Sequence, residues 1–218
     1  IPVTGITDYK NGSVVQSQRS GELKSDGKTV QSGGRLFIKT LLPQERTISI
    51  IGGSGYEYFN RLANKNFPPE KPFNLLRESG KWRMEVSSGK SEAETVFLHV
   101  LEITDSTKKV MVLVEYIKSE DGKMEGALFL SNENPYLVFF SSSNDERGHT
   151  FQKAHLPVNY KLHASAATSH VLVELEPDKK VKVIINNTNI GTYQTTNAGV
   201  LSFTDKGLGA RKIQIESE

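Results

Sequence analysis

The chain contains no cysteine. That excludes disulfides and every metal site built on thiolate ligands. It also lacks any apolar run of about 18 or more residues, so no helical membrane span is encoded. No long stretch repeats its apolar residues at helical spacing. Tryptophan occurs once, as Trp82, and charge is nearly balanced, with 27 Lys and Arg against 25 Asp and Glu. Such a balance lacks the basic stripe of a nucleic-acid-binding domain, so no nucleic-acid partner is expected. The Lys108-Lys109 and Lys179-Lys180 pairs fall at turns, where paired lysines are ordinarily solvated. Hydrophobic residues make up only 36% of the chain. A β-sandwich tolerates this, because alternate strand residues meet water.

What the sequence does have is alternation. Patterns of period two cover 13–17, 35–42, 47–51, 81–86, 95–103, 110–118, 126–130, 136–141, 158–164, 170–176, 181–186, 191–195, 199–204 and 212–216. Turn chemistry separates them. Asp26-Gly27 and Asp121-Gly122 supply the positive φ that tight hairpins require, and Asn11-Gly12, Glu176-Pro177-Asp178 and Asn197-Ala198-Gly199 are further breaks. Strands recur about every eight to twelve residues, the rhythm of a sandwich and not of βαβ units.

The predicted fold is therefore all-β, an antiparallel β-sandwich. A larger unit spans 1–120 and a small C-terminal β domain spans 121–218, with the boundary near Lys118 to Gly122. In the small domain 171–175 is expected to pair with 181–185, and 189–193, 200–203 and 213–215 to complete a meander. The apolar run Val110-Met111-Val112-Leu113-Val114 predicts a strand covered on both faces. Tyr56 to Phe59 reads as strand, 60–72 as an excursion, Leu75 to Glu78 as a short helical turn, and 142–150 as a loop.

Candidate chemistry is sparse. A serine nucleophile would need a strand–elbow–helix context, and Gly52-Gly53-Ser54-Gly55 reads instead as a glycine turn after a strand. His149, His155, His163 and His170 share no recognised metal-ligand spacing and read as scattered surface histidines, so neither a metal nor a cofactor is expected. Among the carboxylates, Glu85 alternates with Met84 and Val86, and a solvated strand face explains it. Sugar binding asks for a flat aromatic to stack on a pyranose and, for acidic glycans, an arginine or lysine beside it. Trp82 with Arg83 is one such pair, and Tyr56, Tyr58 and Arg61 form a second cluster. A buried Trp82 with a solvated Arg83 is the competing structural reading.

The order of four blocks carries a resemblance. They are Arg35-Leu36-Phe37 with Thr40-Leu41-Leu42-Pro43, then Gly52-Gly53-Ser54-Gly55-Tyr56-Glu57, Trp82-Arg83-Met84-Glu85-Val86-Ser87, and Phe97-Leu98-His99-Val100-Leu101. This order resembles the C-terminal β-sandwich region of the heparinase II/III-like polysaccharide lyases. In that family the sandwich follows a helical toroid whose Tyr and His carry out β-elimination next to a uronate carboxylate. The resemblance implies a non-catalytic sandwich part of a secreted or periplasmic bacterial lyase, partnered by an upstream catalytic domain and an acidic polysaccharide. No catalytic Tyr or His transfers onto this chain. Two other functions remain open: a free-standing carbohydrate-binding or adhesion module, and a complete all-β lyase. The start at Ile1 is read as the mark of a mature or truncated product.

Overall fold

The computed structural model describes residues 3–9, 12–25, 28–68, 82–105, 107–142 and 153–218. Among them there is no helix; the fold is all-β, built from several sheets without a closed barrel. The chain divides into two units, Ile1–Met111 and Val112–Glu218. This division falls a few residues before the expected 118–122 boundary, so the strand starting at Val114 sits with the C-terminal unit.

The first unit carries β1 (Val3–Tyr9), β2 (Gly12–Ser25), β3 (Lys28–Leu42), β4 (Arg46–Gly52), β5 (Phe59–Asn60), β6 (Lys65–Asn66), β7 (Trp82–Ser88) and β8 (Leu98–Asp105). Strands β1-β2-β3-β8 form an antiparallel sheet, while β4 with β7 and β5 with β6 form two-stranded ribbons. Alternation sorts the residues of β3. Phe37 and Leu41 are buried on one face together with Val100 of β8. On the other face Leu36 pairs with Ile103 and Ile38 with Leu101. Ile103 is 84% exposed and Leu101 59%. That aliphatic stripe is half in water.

The second unit carries β9 (Val114–Lys118), β10 (Met124–Phe129), β11 (Tyr136–Ser141), β12 (Val158–Ala164), β13 (Ser169–Leu172), β14 (Lys180–Ile185), β15 (Thr188–Gln194), β16 (Leu201–Thr204) and β17 (Gly209–Ser217). One sheet has the order β16-β13-β11-β10-β9 and the other β12-β17-β14-β15. Their inner faces supply one core. Val158, Tyr160, Leu162 and Ala164 of β12 are buried in strict alternation, and so are Val181 and Val183 of β14 and Ile213 and Ile215 of β17. Opposite them lie Met124, Leu128, Leu137, Phe139, Leu172, Leu201 and Phe203. Phe139 meets Tyr160 edge to face, with centroids 5.0 Å apart, the arrangement that ring quadrupoles favour.

Several local expectations are corrected here. Residues 171–175 and 181–185 do not pair, because β13 and β14 lie in different sheets. The chain changes sheets between them: Glu174 takes φ +62° and Leu175 N–H bonds to the Gly199 carbonyl instead of continuing a ladder. The closing meander is thus a sandwich crossing. One pair, β11 with β13, is parallel, since β12 intervenes in the opposite sheet and returns the chain in its original direction. Strand β9 begins only at Val114. Val110 and Leu113 are exposed, so the run 110–114 is not covered on both faces. Residues 54–58 form a turn, not a strand. The turn expected at 75–78 and the loop residues 143–150 lie outside the described residues.

A candidate anion-binding groove

The site is assembled on the β4–β7 ribbon by local rules. Ser49 and Glu85 are direct cross-strand partners, so both project from one face. Arg83 lies two residues from Glu85 along β7 and shares that face. After β4 the glycines reverse the chain. Gly53 and Gly55 take φ +86° and +82°, a region costly for residues with a Cβ, and Tyr56 N–H closes the turn on the Gly53 carbonyl at 2.9 Å. The chain then runs through β5 into a tight turn. Ala63 N–H is capped by the Asn60 side chain, and Asn64 adopts φ +47°. This places Arg61 at the hairpin tip.

Three charged side chains meet there. Arg83 Nε donates to Glu85 Oε1 at 2.7 Å, and Arg61 Nη1 donates to Glu85 Oε2 at 3.2 Å and to Ser49 Oγ at 3.3 Å. Arg83 Nη2 also donates to the Phe59 carbonyl at 2.5 Å, tying the β5 turn to the ribbon. Among the described residues, Arg61 Nε and Nη2 and Arg83 Nη1 donate to no protein acceptor. The Arg83 hydrogen bond holds the Glu85 carboxyl below the ordinary carboxylate range; partial desolvation pushes the other way and the Arg61 bond adds to the lowering. Phe59, Asn60, Arg61, Leu62, Arg83 and Glu85 line an open groove of about 520 Å³. Two guanidinium groups against one carboxylate leave it with net positive charge. Their unused, planar N–H donors match an oxyanion.

The two expected clusters are linked, through a residue assigned to solvent. Arg61 and Arg83 share Glu85 as their common acceptor. Tyr56 is half exposed and packs on Phe59 at 5.0 Å, at the side of the groove. Tyr58 is exposed and is fixed through its backbone, N–H to Asn66 Oδ1 and carbonyl to Phe67 N–H. Trp82 opens β7 and pairs with Gly52 in the ribbon. Arg83-x-Glu85 is the signal that could have found Glu85: oppositely charged residues at i and i+2 of a strand share a face.

The histidines separate clearly. His155 and His163 are exposed and His149 lies outside the described residues, but His170 is fully buried, which corrects its reading as a surface residue. Its Nδ1 lies 2.8 Å from Tyr160 Oη and its Nε2 2.9 Å from Asp205 Oδ2. Arg211 Nε donates to the same Asp205 oxygen at 2.9 Å. The pattern closes with neutral His170: Tyr160 O–H donates to Nδ1, and Nε2–H donates to Asp205. No group of three or more potential metal ligands converges among the described residues.

Burial pushes the His170 pKa down, more strongly than the Asp205 hydrogen bond raises it. Burial raises the Asp205 pKa, but the His170 bond, the Thr168 N–H and the nearby Arg211 together bring it below its ordinary value. Both groups bind protons more weakly folded than unfolded. Their stabilisation is complete above the unfolded values, about 6.5 and 3.9, and is lost as pH falls toward the folded ones. Urea midpoints are therefore expected to fall in two stages on acidification, below about pH 6.5 and again below about pH 4. His170→Gln should flatten the first stage. An unchanged profile in that variant would show that another group titrates.

No protein-family model matches the chain, and no curated protein matches it.

Proposed function

We propose that this chain is the non-catalytic β-sandwich portion of a polysaccharide lyase of the heparinase II/III-like kind, and that it contacts an acidic glycan. The observation that carries the glycan contact is the groove in which Arg61 and Arg83 converge with free donors beside the half-exposed Tyr56. Uronate carboxylates and sulfate esters are the planar or compact oxyanions that guanidinium forks select. The hydrogen bonds from Arg83 and Arg61 hold the Glu85 pKa below its ordinary value, which makes this carboxylate a poorer base. The aliphatic stripe of Leu36, Ile38, Leu101 and Ile103 favours a supporting role over a free-standing module, because a module stable alone has no use for it.

The test follows binding and elimination together on heparan, chondroitin, hyaluronan and alginate. Saturable, salt-sensitive binding is expected for the unmodified chain, with no growth of unsaturated-uronate absorbance. Arg83→Ala should weaken binding by about tenfold, the worth of one charge-assisted hydrogen bond of roughly 1.5 kcal/mol. Absorbance growth would sink the non-catalytic reading, and binding indifferent to Arg83 would move the contact elsewhere.

A further inference from the structure

We infer that Glu85 is an internal stand-in for the ligand's anionic group, so that the groove is a partly self-occupied oxyanion site. This rests on reading the groove as an anion site and specifies what that site accepts. The Glu85 carboxylate takes Arg83 Nε on one oxygen and Arg61 Nη1 on the other, as a bound carboxylate would. It does so in the open: its side chain is about one third exposed and those of Arg83 and Arg61 are 39% and 52% exposed. An ion pair this solvated is held weakly and exchanges readily. The charges count two against one, and both arginines line the groove with donors that Glu85 leaves unused.

The consequence is selectivity by competition. Glu85 is two residues from Arg83 on one strand, so it competes at an effective concentration on the order of millimolar or more. A single ligand carboxylate is chemically the same group and gains nothing by displacing it. A sulfate group, or a chain presenting several anions, engages the unused donors with Glu85 in place or outcompetes it through avidity. The ligand class that follows is a polyanion or sulfated glycan, and not an isolated uronic acid.

Titration of the full chain with sodium sulfate and, separately, sodium acetate, read from the Arg61 and Arg83 Nε–H resonances, tests this. The unmodified protein should respond to sulfate and far less to acetate. Glu85→Gln should raise sulfate affinity about fivefold, the scale of losing one exposed ion-pair competitor, and bring acetate into range. Arg83→Ala added to Glu85→Gln should remove the gain. Ser49→Glu, which places a second carboxylate across from Glu85, should weaken sulfate binding, and it keeps the test alive should Glu85→Gln misfold. Equal sulfate affinity in the unmodified and folded Glu85→Gln proteins would overturn the inference, as would silence of both toward sulfate. A Glu85→Gln gain for sulfate without retention on any polysaccharide would leave the stand-in intact and defeat the glycan reading. Polysaccharide binding that ignores Glu85→Gln would do the reverse.

Discussion

Asp205→Ala is expected to destabilise the C-terminal unit by about 3–5 kcal/mol, the cost of removing one partner from a buried ion pair. The carboxylate, which is wholly buried, accepts from His170 Nε2 and Arg211 Nε on one oxygen and from the backbone N–H of Thr168 and Gly207 on the other. Alanine orphans four donors at once. It also leaves the 3% exposed Arg211 with a charge neutralised by nothing but carbonyls and the Thr168 hydroxyl. The network joins the two sheets, with Tyr160 and Arg211 on β12 and β17 and His170 and Asp205 on β13 and just past β16. Loss should therefore spread across the sandwich. For a unit of this size the melting temperature should drop by roughly 15 °C or more. Amide exchange should quicken in peptides covering both β12 and β13. Lys206→Ala, at the exposed neighbouring position, should change stability by no more than about 0.5 kcal/mol. A loss below about 1 kcal/mol for Asp205→Ala would mean that the network is incidental to the sandwich.

Much of this sandwich was legible because a half-buried strand writes its burial into its sequence. Residues 158–164 and 136–141 alternate cleanly and match β12 and β11 end to end. The Asp121-Gly122 turn joins β9 to β10, with Gly122 at φ +74°. Strands β2 and β3 run far beyond their alternating cores, through Gly21, Gly33 and several serines. Backbone pairing sets that length and leaves no side-chain signature. The assignment of strands to sheets was illegible for a related reason. Neighbours in sequence such as β13 and β14 are good hairpin partners by composition, and only the sheet change at Glu174 and Leu175 separates them.

The sites divide along the same line. Arg61 and Arg83 stood out as residue types, but their union through Glu85 depends on a turn that folds residue 61 back over β7, at a separation of 24 positions. A strand carboxylate looks solvated until the returning chain is placed. His170 and Asp205 are 35 residues apart and come together only because β13 and β16 are neighbours. No local pattern announces such a pair. The opposite error occurred at Val110 and Leu113, where an apolar run suggested burial and both side chains proved exposed.

Gly126→Ala should be nearly as damaging as the loss of Asp205, for a purely steric reason. Gly126 lies in the middle of β10, paired with Ile117 on one side and Phe139 on the other. A Cβ there would sit 1.9 Å from the Val138 carbonyl oxygen and 3.0 Å from Phe139 Cα. Both are backbone atoms, so no rotamer change relieves the clash. Strands β10 and β11 must move apart, and that opens the ladder beneath Met124, Leu128, Leu137 and Phe139, all fully or nearly buried. The expected cost is about 3 kcal/mol, at the upper end for overpacking. Gly122→Ala isolates the backbone contribution. Gly122 has φ +74° and open space around the added methyl, so it should cost only about 1 kcal/mol for the left-handed conformation. Urea unfolding of the two variants separates steric contact from conformational strain. If Gly126→Ala proves no worse than Gly122→Ala, the strands relax apart at little cost and the tight β10–β11 approach does not anchor the core. If the ordering holds, the same close approach explains why a residue without a side chain stands in the middle of β10, between β11 and β9.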